Sequence, residues 1–199
     1  MKRIVFILLL LSTYAQAQPF SEANQLYQLI SADSPFLLKK PDNPRFGLQF
    51  LWPNDSLTID YGTRFPPKGI DRERLAELVK NSQFADTSAW SSQELKRVVW
   101  VDDANQSLSL SELVKTLEVS DKQVVKSYKK RINRYNAGIF NQSNNFSDRL
   151  VASLSRPVFD NQGQYAVLML NYFHSGGKVF LFEKTGAWQI VGILTSWAY

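Results

Sequence analysis

The chain has no cysteine and a single histidine, His174, among its 199 residues. Without cysteine there is no disulfide, no thiolate nucleophile and no Cys-ligated metal, so the apolar core alone must stabilise the fold. One histidine cannot build a His-rich zinc site. G-x-S-x-G, H-E-x-x-H, the P-loop, G-x-G-x-x-G and the EF-hand loop are all missing, which removes the best-marked routes to hydrolysis, nucleotide binding and calcium binding. Long hydrophobic runs are missing too. The longest, Ile4 to Leu11, falls well short of the ~20 residues that span a bilayer. The net charge is +5, and Lys2 and Arg3 supply two of those charges. A surplus that small gives no reason to expect a nucleic-acid partner.

Hydrophobic residues make up 44% of the chain, with thirteen Phe, eight Tyr and five Trp. That is the composition of a globular protein with a sizeable core, not of a disordered one. The first residues carry an address. Met1-Lys2-Arg3 is a positive start, Ile4 to Leu11 an apolar centre, and Ala15-Gln16-Ala17 an A-x-A ending. This is the pattern of a secretory signal peptide. The expectation is a leader over 1–17 and one α+β domain over 18–199, soluble and extracytoplasmic, in the periplasm or secreted. No cysteine follows the leader, so a lipoprotein-type anchor is not expected. Asn54, Asn105, Asn141 and Asn145 each fit the N-glycosylation pattern, which matters only in a eukaryotic host.

Local signals then place the elements. Ser21 suits the cap of a helix reaching about Ala32, with Ala23, Leu26, Tyr27 and Ile30 on one face. Asp33 to Arg45 contains three prolines and reads as an extended connection. Phe46 to Trp52 and Leu57 to Tyr61 alternate with period two around Pro53-Asn54-Asp55-Ser56, which predicts an N-terminal β-hairpin. Three helix starts follow. Asp71 caps a helix to about Gln83, with Ile70 and Leu75 as its hydrophobic staple. Ser109 and Glu112 form a capping box flanked by Leu108 and Leu113. Ser120 and Gln123 repeat the box with Val119 and Val124, opening a helix to about Tyr135. The buried stripe of that last helix is expected to be Val124, Val125, Tyr128, Ile132 and Tyr135. Leu95 to Val101 is a β-rich run.

The last fifty residues predict a four-stranded antiparallel meander over 149–159, 164–174, 178–183 and 187–197, with short glycine-bearing joins. Its middle strands are apolar on both faces: Tyr165, Val167 and Met169 oppose Ala166, Leu168 and Leu170. A half-solvated sheet would alternate, so both faces should be covered. The expected fold is therefore α+β: the meander packed with capped helices, plus the N-terminal hairpin. The Ser109 and Ser120 helices are expected to lie on the meander because they precede it in the chain.

Ser155-Arg-Pro-Val-Phe159, Gly163-Gln-Tyr-Ala166, Ser175-Gly-Gly177 and Lys184-Thr-Gly-Ala-Trp188-Gln-Ile190 resemble the C-terminal pattern of uncharacterised exported bacterial proteins. The resemblance covers the last quarter of the chain. It implies an exported bacterial protein and brings no activity with it.

Two function classes stand. The first is a non-catalytic binding or accessory module of the cell envelope, with no catalytic residue, cofactor or metal. Lys126, Lys130 and Arg134 belong to a basic helix face suited to weak contact with an anionic surface. Tyr172 and His174 stand at the mouth of the Gly176-Gly177 hairpin, where His174 is read as structural or peripheral. Trp52, Tyr61, Trp90 and Trp100 suit either a ligand surface or, more simply, the core. The second class is a small hydrolase using paired carboxylates drawn from Asp60, Asp102, Asp103, Asp160 and Glu183.

Overall fold

The computed structural model describes residues 22–31, 34–44, 48, 70–139, 149–173 and 175–197. The expected leader and the expected 46–62 hairpin lie outside these residues, apart from Leu48. Helix α1 spans 22–30. Then follow β1 (Phe36–Leu38), α2 (Arg72–Ser82), β2 (Val99–Val101), α3 (Leu110–Leu117) and α4 (Lys122–Asn136). The chain closes with β3 (Val151–Leu154), β4 (Val158–Phe159), β5 (Tyr165–Tyr172), β6 (Gly176–Thr185) and β7 (Ala187–Trp197). This is an α+β protein. No helix among the described residues is long and apolar enough to cross a membrane.

One mixed sheet runs in the order β2-β1-β3-β5-β6-β7, with β4 also paired to β5. The predicted meander is its antiparallel part. Tyr165 to Tyr172 register against Glu183 to Gly176, and β6 pairs with β7 across two register shifts. The first predicted strand is broken into two, both antiparallel to β5. The break is a bulge at Ser155-Arg156-Pro157. Ser155 stitches it down, donating its N–H to Met169 O at 2.9 Å and accepting from Met169 N at 2.9 Å through its hydroxyl.

The other half of the sheet is a correction to the sequence reading. Part of the expected connection at 33–45 is β1, a strand parallel to both β2 and β3. Only Val99–Val101 of the Leu95–Val101 run is strand. Parallel pairing needs long crossovers and leaves no local turn signature, so alternation alone did not reveal it.

The doubly apolar strands are covered on both sides, as expected. On one face, Ala166, Leu168, Leu170, Phe180 and Phe182 meet Leu26, Tyr27 and Ile30 of α1, together with Trp90 and Leu95. On the other face, Val167, Met169, Val179 and Leu181 meet Leu75 and Leu78 of α2 and Leu48. Helices α3 and α4 meet the expected meander at its first strand, through Leu150 and Val151, and not over its middle strands. They cover Phe36, Val99, Val101 and Val151, at the β2-β1-β3 end of the sheet. Their placement follows area rather than chain order: β1 and β2 present an apolar face that no other described element covers. A polar seam separates the two cores of this face. Ser153 and Asn171 stand opposite each other on β3 and β5, and both donate to the Asp42 carboxylate, Asn171 at 2.9 Å.

The caps are partly as read. Asp71 accepts from Arg74 N at 2.8 Å, and Ser109 from Glu112 N at 3.3 Å. The cap of α4 is Asp121 rather than Ser120: one carboxylate oxygen takes both Gln123 N at 2.7 Å and Val124 N at 3.1 Å. A charged acceptor serving two orphan amides at the positive end of the helix outcompetes a hydroxyl serving one. The expected stripe of α4 is correspondingly shortened. Ile132 and Tyr135 are buried, Val125 and Tyr128 are half-buried, and Val124 is 42% exposed.

Candidate functional site

Where α1 ends and the parallel strands begin, the helices of the two faces come together over the end of the sheet. An open cleft of about 210 Å³ lies there. Gln28 enters it from α1, Ser31 from just after that helix, Pro35 from just before β1 and Arg97 from just before β2. Leu117 and Val119 enter from the end of α3, Val124 and Tyr128 from α4. Walls and floor are aliphatic and aromatic; the polar groups gather on the α1 and β2 side.

Each lining element has a local cause. Helix α3 stops at Glu118, which takes the left-handed conformation at φ 54°. Its N–H returns to Val114 O, and Val119 N reaches the same carbonyl at 3.2 Å. The turn this makes carries the chain into the Asp121 cap of α4. Val119 and Val124, read as a staple, do meet in one place, but as neighbouring walls of the cleft. Leu117 O is one of the carbonyls the helix end leaves unpaired, and Arg97 Nη2 donates to it at 3.0 Å. Arg97 itself sits at φ 60°, a left-handed conformation that costs a residue with a Cβ ~1–2 kcal/mol. Gln28 Nε2 donates to Lys96 O at 2.9 Å, which fixes the side-chain amide with Oε1 as its open acceptor. Beneath the cleft, the Tyr27 hydroxyl donates to Ser34 O. Burial first, and Tyr128 second, push that phenol well above its ordinary range, so it stays neutral.

The residues singled out from sequence are not here. Lys126, Lys130 and Arg134 follow one another at four-residue spacing on α4. At about 100° per residue they project from the side opposite Val124, Tyr128 and Ile132. Lys126 and Lys130 are exposed and Arg134 half-buried. They form a separate basic surface, away from the cleft. Tyr172 is 3% exposed in the core, with the Arg149 guanidinium 5.0 Å from its ring centroid. His174 lies outside the described residues. Of the tryptophans, Trp90 is core at 3% exposure and Trp100 is half-buried. Trp52 and Tyr61 lie outside the described residues.

The carboxylates named for hydrolysis hold local structure. Asp102 is exposed and pairs with Lys39 at 2.7 Å. Asp103 accepts from Asn105 N at 2.7 Å in its own turn. Asp160 is fully buried, paired with Arg74 and accepting from Gln164 N at 2.7 Å and Tyr165 N at 2.9 Å. Glu183 accepts from the Tyr165 hydroxyl at 3.0 Å; burial, with that bond second, pushes the phenol up. Asp60 lies outside the described residues. Among the described residues no group of three or more His, Cys, Asp or Glu side chains is arranged to hold a metal.

Sequence reasoning missed the cleft because its walls are distant in the chain and its key residue carries no turn signature. Arg97 is neither Gly, Asn nor Asp, the residues that normally announce a positive φ. The Val119–Val124 pair was the one legible signal, and its local reading was a staple. Comparison with known proteins finds no matching family model, no matching curated protein and no matching solved structure.

Proposed function

We propose that the chain is an exported, non-catalytic binding or accessory module of the cell envelope, and that the cleft between α1, α3 and α4 is where it takes its ligand. One observation carries the reading: an open cleft with one apolar wall and a single arginine held at its rim by a helix-terminal carbonyl. Apolar walls with a few placed polar groups are the usual make-up of a ligand site. The export half rests on the leader pattern at 1–17 and on the C-terminal resemblance. The basic face of α4 would add weak, salt-sensitive contact with anionic material. The hydrolase reading is weaker, because the described carboxylates named for it are already paired or capping turns.

A fragment screen by protein-observed NMR tests the cleft. Hits should move the amides of Leu117, Val119 and Val124, and Val124→Trp, which fills the space, should abolish them. Hits that cluster elsewhere, or that survive Val124→Trp, would remove the cleft from consideration. Export is tested by the mass of the protein recovered outside the cytoplasm. A chain beginning at Gln18 supports the reading; one retaining 1–17 refutes it.

A further inference from the structure

We infer that the cleft captures the free C-terminal residue of a peptide whose last side chain is aliphatic. The inference rests on the reading of the cleft as the ligand site and names its ligand.

Size comes first. At about 210 Å³ the cleft is smaller than the roughly 300–1,000 Å³ of typical small-molecule sites. It has room to enclose about one amino-acid residue. Its walls then select. Leu117, Val119, Val124 and the Tyr128 ring offer no polar side-chain atom except the tyrosine hydroxyl, so the buried part of the ligand is apolar.

The rim selects for charge. A guanidinium has five N–H donors in a planar fork. Among the described residues, Arg97 uses Nη2 on Leu117 O. That bond pins the plane beside the apolar wall and leaves donors for a carboxylate, which the fork matches two bonds at a time. Beside it, Gln28 spends one amide N–H on Lys96 O. What it offers a ligand is the carbonyl Oε1, an acceptor, and its second N–H. An apolar side chain, a carboxylate for Arg97 and an N–H for Gln28 occur together at the end of a peptide chain.

The backbone supports a dedicated role for Arg97. Its φ of 60° is met more comfortably by Gly or Asn. Strain of this kind persists where the surrounding structure holds it and concentrates at ligand clamps.

The test is a ¹H–¹⁵N shift titration of the whole protein with the peptide Gly-Gly-Val-Leu, its C-terminal amide, and octanoate as a carboxylate without a peptide N–H. The acid form should move the amides of Gln28, Leu117, Val119 and Val124, and bind about tenfold or more tighter than the amide form, the scale of a hydrogen bond to a charged group. Octanoate should bind more weakly than the acid peptide. Arg97→Asn, which suits the left-handed backbone, should erase the acid–amide difference. Lys80→Gln, exposed at the end of α2 and outside the cleft lining, should leave it intact. Equal binding of acid and amide, octanoate binding as tightly as the peptide, or no movement of the cleft amides would each overturn the inference. The proposed function survives any of these if unrelated fragments still bind in the cleft and are lost in Val124→Trp.

Discussion

Removing the Arg156 charge should be strongly destabilising. The guanidinium is nearly closed off, its side chain 10% exposed, and so is Glu94, also at 10%. Arg156 Nη1 lies 2.6 Å from Glu94 Oε1. Nη2 donates to Ala89 O at 3.1 Å and to Ser88 O at 3.4 Å. The Trp90 ring stacks beneath, its centroid 3.9 Å from the Arg156 Cζ. Asp86, 3.7 Å from Nε, is exposed and adds little. Arg156 therefore ties the bulge between β3 and β4 to the 86–94 segment that roofs one core. Arg156→Met keeps the bulk and removes the charge. It strands the Glu94 carboxylate and deprives two carbonyls of a donor, and breaking a buried pair from one side costs ~3–5 kcal/mol. Losing the stacked cation adds about 1–2 kcal/mol, not additively, because the same atoms are involved. Glu94→Gln in the Arg156→Met background removes the stranded charge while keeping an acceptor for Ser91 N. The double variant should regain about 2 kcal/mol or more. Urea unfolding at neutral pH, followed by tryptophan fluorescence, reads both as midpoint shifts at constant slope. A loss below about 1 kcal/mol in Arg156→Met, or a double variant no more stable than the single, would show that water reaches Glu94 and refute the account.

Three further outcomes follow from individual contacts. Asp121→Ala should cost about 1 kcal/mol and Ser120→Ala close to nothing in thermal melts, since the Asp121 carboxylate holds the first amides of α4. Tyr135→Phe removes a hydroxyl that donates to Ala104 O, at about 1 kcal/mol near neutral pH. Burial first, and Asp103 second, push that phenol up to about 12, so the native state keeps a proton that the unfolded chain releases near pH 10. Its contribution is fully present below pH ~10 and drains away as pH climbs to ~12. The wild-type and Tyr135→Phe stabilities should therefore converge in urea melts between about pH 10 and about pH 12, and parallel curves would contradict this. In Gly177→Ala, the new Cβ would lie 2.3 Å from Trp197 Cζ2 and 2.9 Å from Leu170 O. The indole can shift and the strand carbonyl cannot, so calorimetry should show a loss of about 1–3 kcal/mol.

What the sequence determined by itself was local. Asp71 and Ser109 cap because a short acceptor before an apolar stripe satisfies orphan amides wherever it occurs. The two-sided apolar pattern of Tyr165 to Leu170 announced a sheet covered on both faces before any cover was known. The α+β class and the antiparallel C-terminal strands followed from those signals. What only the tertiary structure decided was long-range. β1 is three residues long, and its strand character comes from Val99 to Val101 on one side and from Val151 and Ala152 on the other. Helices α3 and α4 sit over β2, β1 and the first meander strand because that apolar face needed covering, while α2 covers the middle strands. Arg156 reads as one more residue of a predicted strand until Glu94 and Trp90 close around it. The cleft is the extreme case. Gln28, Arg97, Leu117 and Val124 come from four separate stretches of the chain, and Arg97 occupies its left-handed conformation against its own preference. Local propensity records what a residue favours alone; the cleft consists of residues held where the packing of the whole chain puts them.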